Sequence, residues 1–416
     1  MVRSLGLLDL TCLGINAIIG SSVFLFPGRL AALLGPASIL SFGLTALLLS
    51  TVCLCFAEAS TRFDRGGGSY LYAREAFGER AGFAIGWLSW ITQIFSWAAV
   101  ADGIAVYLGF FDPAWSGPVG VKCVAAFVIV TMGALNYRGV KLGAWTADFF
   151  TAAKLIPLLV FVVVGLPKVA AANFATFAPH GIRPMGAACF LAYFAFQGFE
   201  GVPVPSGEAR DAKRHTPIAL LASLGLAACV YMAVQLVAVG VYPDLAVSDR
   251  PLAEAAMAVL GPAGAVLMVV GAVVSTTGYN ATTALVAPRY LVALAEDGHF
   301  PAALAEPHPR FGTPARAILL TTGLVLVLAL VLDFDKLVDF GNVVICGQYA
   351  ATCAAVPFLR RQGPAPFTLP GGGLIPGLGV LATLWLGAQG GLDQVWWALG
   401  VLAAGLALRG LLALKS

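Results

Sequence analysis

Apolar runs long enough to cross a bilayer recur along almost the whole of this chain, and they leave one class of fold open. A hydrocarbon core needs roughly 17 to 25 apolar residues per helical span. Such runs lie near 7–31, 36–59, 81–110, 118–136, 143–166, 184–206, 216–241, 261–294, 315–332, 337–358, 374–389 and 395–412, about twelve in all. Backbone N–H and C=O groups find no partner in hydrocarbon, so segments of this length cross it as α-helices. The chain is 59% hydrophobic and 11% charged, with a mean hydropathy of +0.89, which excludes a water-soluble domain of 416 residues. The expectation is an all-α membrane protein with about 12 transmembrane helices.

Two of the runs are interrupted. Gly14 to Pro27, GINAIIGSSVFLFP, puts small and weakly helical residues at membrane depth, and Phe194 to Gly201, FAFQGFEG, does the same in the sixth run. Irregular backbone survives there only when it is buried in protein or lines a cavity. Paired interrupted spans in the two halves of a chain point to a transporter binding site. Halves of five spans each, residues 1–166 and 167–360, place spans 1 and 6 in equivalent positions. An odd number of spans inverts the second half relative to the first, giving a 5+5 inverted-repeat core. Residues 361–416 then form a two-helix appendage, spans 11 and 12.

Orientation follows from Lys and Arg, which collect in cytoplasmic loops. With the N-terminus inside, most of the 24 fall on inner segments, among them Arg3, Arg62, Arg65, Arg138, Lys141, Arg360 and Lys415. Both termini are therefore expected on the cytoplasmic side of the cytoplasmic membrane, with no cleavable signal ahead of the first span. The net charge of +3 follows from this topology and gives no reason to invoke nucleic acid. All eight cysteines fall in or beside apolar runs, which implies neither a disulfide framework nor a metal site, and no cofactor is expected. The link from Arg62 to Glu79 carries Gly66-Gly67-Gly68, which reads as a flexible turn, since no strand precedes it and no Lys-Ser/Thr follows. Outer links from Pro167 to Arg183 and from Tyr242 to Gly261 have room for short helices.

Several separated segments together resemble amino acid permeases of the amino acid-polyamine-organocation (APC) transporter superfamily. GINAIIGSSVFLFPG is similar to the family's glycine-rich first-helix break, and FAFQGFEGVPVPSGEARDAKRHTPIAL to its sixth-helix break and the basic turn after it. Asn136 to Val140, AAKLIPLLVFVVVG in span 5, and APRYLVALAEDGHFP with HPRFGTPARA around spans 8 and 9 follow in the family's order. The resemblance implies a LeuT-like core with broken helices 1 and 6, and a substrate bearing an α-amino and an α-carboxylate group.

The motif match implies that the substrate carboxylate lies on the backbone of Ser21 and Ser22, after the turn at Gly20. A half-helix starting there offers free N–H groups and a positive dipole end. The amine is implied at the carbonyls of Ile18, Phe194 and Gln197. Phe194 matches the family's aromatic lid, though a packing role is the plain reading of a buried Phe. Gln93 and Trp97, four apart on one face of span 3, face the pocket by the same match. Glu200 is an ionisable group at membrane depth and so a functional candidate, with capping of the inner half-helix as the alternative. Lys154 in span 5 matches a lysine that replaces the sodium ion of sodium-coupled relatives, touching the first-span break and a span-8 hydroxyl. Thr283, with Thr282 beside it, matches that hydroxyl. A fixed charged brace and a proton-coupling group both remain open for Lys154. Asp102 is expected in a water-exposed outer vestibule, and Asn342 and Gln348 as interhelical hydrogen-bond partners.

Few charges face this pocket, so the expected function is secondary transport of neutral L-amino acids by alternating access, as a proton-coupled symporter or an exchanging antiporter. A polyamine or organic amine carrier is the alternative and wants an acidic pocket. A non-transporting amino acid sensor is the other. Catalysis wants clustered His, Cys or carboxylates, yet His180, His215, His299 and His308 lie in or beside loops, so an enzyme is not expected. The family branch with a covalent heavy subunit uses a cysteine between spans 3 and 4. Here that link, FDPAWSGP, has none, and the expected partners are the amino acid substrate and membrane lipid.

Overall fold

The computed structural model describes residues 5–63, 67–139, 144–204 and 209–413. Arg3, Arg65, Lys141 and Lys415 of the orientation argument lie outside them, as do Gly66 and Val140. The first expected span is two helices, α1 (Leu7–Ile18) and α2 (Ser22–Leu34). Then come α3 (Ser38–Ser60), α4 (Gly68–Phe77), α5 (Glu79–Leu108), α6 (Pro118–Tyr137) and α7 (Ala144–Gly165). The sixth span contributes α8 (Met185–Phe196) and a single 3-10 turn, Phe199–Gly201. The remainder is α9 (Ala212–Val241), α10 (Pro251–Leu260), α11 (Pro262–Glu296), α12 (Ala315–Val331), α13 (Phe334–Arg360), α14 (Leu374–Ala388) and α15 (Leu392–Ala413). Each expected span coincides with a helix or a broken helix. The chain is an all-α, multi-pass membrane protein, and among the described residues its extended pairing is one bridge between Leu5 and Ala209.

Helix α5 is the axis of the bundle and α15 an outer stave. In its most apolar stretch 83% of α5 is buried inside the protein, against 6% of α15. Apolar lipid drives no helix association, so close approach depends on small residues and interhelical hydrogen bonds. Glycine supplies the first. A Cβ on Gly14 of α1 would lie 2.2 Å from Ser223 Oγ of α9, and one on Gly278 of α11 would lie 2.8 Å from the Phe150 ring of α7. Both pairs of backbones pack as they do because that carbon is missing.

The link after span 2 differs from the expected flexible turn. Gly67 and Gly68, with φ of +141° and +53°, reverse the chain and start α4, which buries Tyr70, Leu71 and Tyr72 against α5 and α13. The glycine run masked a helical pattern that begins at its last residue, Gly68. The two long links expected on the outside do carry short helices: α10 in one, and 3-10 turns at Leu166–Lys168 and Ala171–Phe174 in the other.

Candidate functional site

The first break is three residues long. Helix α1 ends at Ile18, Ile19 turns extended (φ −82°, ψ 97°), and Ser21 caps α2 without a side-chain bond. The Ser21 carbonyl accepts from Phe24 and Leu25, while the N–H groups of Ser21, Ser22 and Val23 meet no acceptor among the described residues. These are the donors that any helix start leaves free, here at membrane depth. Ser21 and Ser22 are 1% and 2% exposed, and the Ser21 hydroxyl has no partner among the described residues. The Gly20 backbone lies under the Tyr279 ring, which an added Cβ would meet at 3.2 Å.

The second break is built around a carboxylate. Helix α8 stops at Phe196, Gln197 is extended (φ −65°, ψ 151°), and Gly198 takes φ +122°. The Gly198 N–H is taken at 2.8 Å by Glu200 Oε2, which also accepts from Tyr349 Oη at 2.7 Å. Gln93 Nε2 stands 3.5 Å from the other oxygen. Glu200 is thus buried without a cation among its hydrogen-bond partners and holds the Gly198 N–H at the break. The inner half-helix it was expected to cap is only the turn Phe199–Gly201 as far as residue 204.

The two breaks touch backbone to backbone. A Cβ on Gly198 would fall 2.2 Å from the Ala17 carbonyl oxygen and 2.9 Å from the Ile18 nitrogen. Tyr231 of α9 ties them together, its hydroxyl 3.1 Å from Ile18 O and 2.9 Å from Ala195 O. Phe194 O receives the Gln197 N–H at 3.3 Å. The Gln197 side chain donates to Asn342, which in turn donates to Phe190 O at 2.8 Å, an interhelical role as expected. Gln197 Oε1 and Trp97 Nε1 remain buried without a partner among the described residues, as Ser21 Oγ does. Phe194 packs on Phe26, 6.1 Å between ring centres, and Phe26 on Phe334. Beyond them Arg29 of α2 pairs with Asp335 of α13.

Lys154 is fully buried and donates to Asn16 O and Ile19 O at the first break. The α11 hydroxyl that joins it differs from the expected one. Ser275 Oγ reaches Ile19 O at 3.2 Å and Gly20 O at 3.1 Å, whereas Thr283, eight residues on, bonds its own helix at Tyr279 O. Thr282 accepts from Asn16 Nδ2 at 2.6 Å, holding α1 to α11 one turn before the break. Sequence could not choose among the α11 hydroxyls at 275, 276, 277, 282 and 283, because the choice depends on how α11 is rotated against α1.

Thr282 and Thr283 instead line a small cavity of about 20 Å³ with Gln93, Ala17, Gly198 and Tyr279. Ser21, Ser22, Trp97 and Phe194 lie outside its wall. Asp102 is a correction. It is 3% exposed, not water-lapped, and pairs at 3.3 Å with Lys122, whose ammonium also caps α12 through Ala329 O and Leu332 O.

Residues 5–408 match the amino acid permease family. The methylthioribose transporter of Bacillus subtilis (strain 168) is 29% identical over 405 residues, covering 92% of this chain and 88% of its own. The branched-chain amino acid permease BcaP of the same organism is 29% identical over 412 residues, 92% and 87% of the two chains. Cationic amino acid transporter 4 of Homo sapiens is 30% identical over 390 residues, and the match covers 89% of this chain and 61% of the human protein. With its broken first and sixth spans and a match along nearly its whole length, this chain belongs to the amino acid permeases of the APC superfamily.

Proposed function

We propose that the protein carries neutral L-α-amino acids across the cytoplasmic membrane by alternating access, with the substrate held between the two breaks. The observation that carries this reading is the contrast between them. The first break has the N–H groups of Ser21, Ser22 and Val23 without an acceptor among the described residues, while the second holds the buried Glu200 carboxylate on its Gly198 N–H. A carboxylate suits the first and an ammonium the second, which is the arrangement of an α-amino acid. Ser21 Oγ, Trp97 Nε1 and Gln197 Oε1 support the same site, since buried polar atoms are costly to leave unpaired. A polyamine wants a second carboxylate beside Glu200, and among the described residues Asp102 is paired with Lys122 instead.

On this reading residues 1–166 and 167–360 are inverted repeats, both termini are cytoplasmic, and no covalent partner is required. The aromatic stack of Phe194, Phe26 and Phe334 under the Arg29–Asp335 pair is the closed outer gate, and the cavity beside Gln93 is the inner path. Lys154 either braces the break or exchanges a proton with each cycle. The test compares leucine with its decarboxylated amine and its deaminated acid by ligand-induced thermal shift of the purified protein. Stabilisation by leucine alone is expected. Equal stabilisation by the amine would replace this reading with that of an amine carrier.

A further inference from the structure

Glycine inside a helix costs about 1 kcal/mol relative to alanine, so a buried helical glycine needs a reason. In this protein the reason is close packing. A Cβ on Gly86, Gly103, Gly133, Gly271 or Gly278 would come within 2.5–2.9 Å of a neighbouring side chain. Gly341 in α13 is different. Its added Cβ would meet Phe95 Cβ at 3.6 Å, Phe194 Cε2 at 3.9 Å and Ser96 Oγ at 4.0 Å, all ordinary contacts. Among the described residues it is the one buried α-helical glycine that neither packing nor a positive φ explains; Gly68, which also has room, has its φ of +53°.

A methyl-sized gap therefore lies between α5, α8 and α13, walled by the aromatic ring at the second break. It is held open rigidly. The next residue, Asn342, is pinned to α8 by Gln197 and by Phe190 O, so α13 is not free to move in and fill it. The 3-10 turn residue Gly201 is also buried, with nothing within 4 Å of an added Cβ, and it lines the cavity at the same break. Gly341 and Gly201 both sit at the candidate site.

We propose that Gly341 sets the size of the substrate side chain: the methyl-sized space it leaves beside Phe194 takes the tip of an aliphatic side chain. This rests on the amino acid reading above and deepens it. The test is uptake of radiolabelled alanine, valine, leucine and phenylalanine into proteoliposomes by wild-type protein, Gly341→Ala, Gly341→Val and Gly225→Ala. Gly225 is an exposed helical glycine with nothing within 4 Å of an added Cβ and serves as control. Melting temperature in detergent accompanies each variant, and Gly341→Ala is expected to melt no lower than wild type.

The expected result is that Gly341→Ala lowers leucine uptake relative to alanine by about tenfold or more, the discrimination that one methylene in an apolar pocket supplies. Gly341→Val extends the loss to valine, and Gly225→Ala keeps the wild-type ranking. An unchanged ranking in Gly341→Ala, or an equal loss for all four substrates, overturns the inference while the amino acid reading stands. Wild-type protein that accumulates none of the four overturns both.

Discussion

Replacing Gly198 by alanine should disable the protein more than any other single methyl, because it is here that the two broken helices meet. The new Cβ would stand 2.2 Å from Ala17 O and 2.5 Å from its carbonyl carbon, so one break has to withdraw by roughly 1 Å to restore van der Waals contact. The φ of +122° adds its own strain for an L side chain, on the order of 1–3 kcal/mol. Overpacking of a rigid site adds about 1–3 kcal/mol. Together these amount to ~2–6 kcal/mol against the observed pairing of the breaks, more than tenfold even at the low end. Relief is possible only by separating Gly198 from Ala17, which also pulls on the Tyr231 bridge and the Glu200 cap. Amino acid uptake and ligand-induced thermal shift should both vanish while the protein still elutes as a monodisperse membrane protein. Wild-type uptake with an unchanged KM in Gly198→Ala would refute the idea that the breaks touch here.

Further outcomes follow from other residues of the same region. Ser22→Leu should abolish substrate-induced stabilisation while leaving the melting temperature of the free protein intact; unchanged affinity would remove the first break from the site. Phe194→Ala should slow exchange more than it weakens binding, and wild-type flux would end the gating role of the aromatic stack. Lys154→Ala should change the pH profile or the coupling of uptake, whereas an unchanged profile marks the lysine as a brace. His299, just beyond α11, is held below its ordinary pKa of 6.5 by burial and by Arg409, against the opposing pull of Glu79. It lies 3.4 Å from the Glu79 carboxylate without hydrogen-bond geometry. The folded state thus binds the proton less readily than the unfolded one, and stability falls as pH drops below 6.5. His299→Gln should flatten that decline in a series of melting temperatures, and an unaltered slope would assign it to other groups.

The fold was largely legible because hydrophobic runs and breaks are local signals. Small residues around Gly20 and Gly198 marked the interruptions as Gly14–Pro27 and Phe194–Gly201, and the helices break inside both windows, after Ile18 and after Phe196. What escaped depends on contacts between distant parts of the chain. Tyr231 and Tyr349 are unremarked aromatics in apolar spans until α9 and α13 bring their hydroxyls to the breaks. Ser275 and Thr283 are equivalent by type, and only the rotation of α11 decides that the first meets the Ile19 carbonyl. Asp102 read as a vestibule residue because its partner, Lys122, lies twenty positions away on another helix.

The central claim is that an α-amino acid crosses through the paired breaks, and the most direct test is uptake into proteoliposomes of radiolabelled neutral and cationic amino acids, methylthioribose and a polyamine. Internal substrate and an imposed pH gradient are each added separately. Accumulation of a neutral amino acid, lost in Gly198→Ala, is predicted; stimulation by the gradient assigns proton coupling, and stimulation by internal substrate alone assigns exchange. Flux of the polyamine or methylthioribose without that of any neutral amino acid, or saturable binding with no flux at all, would contradict the account.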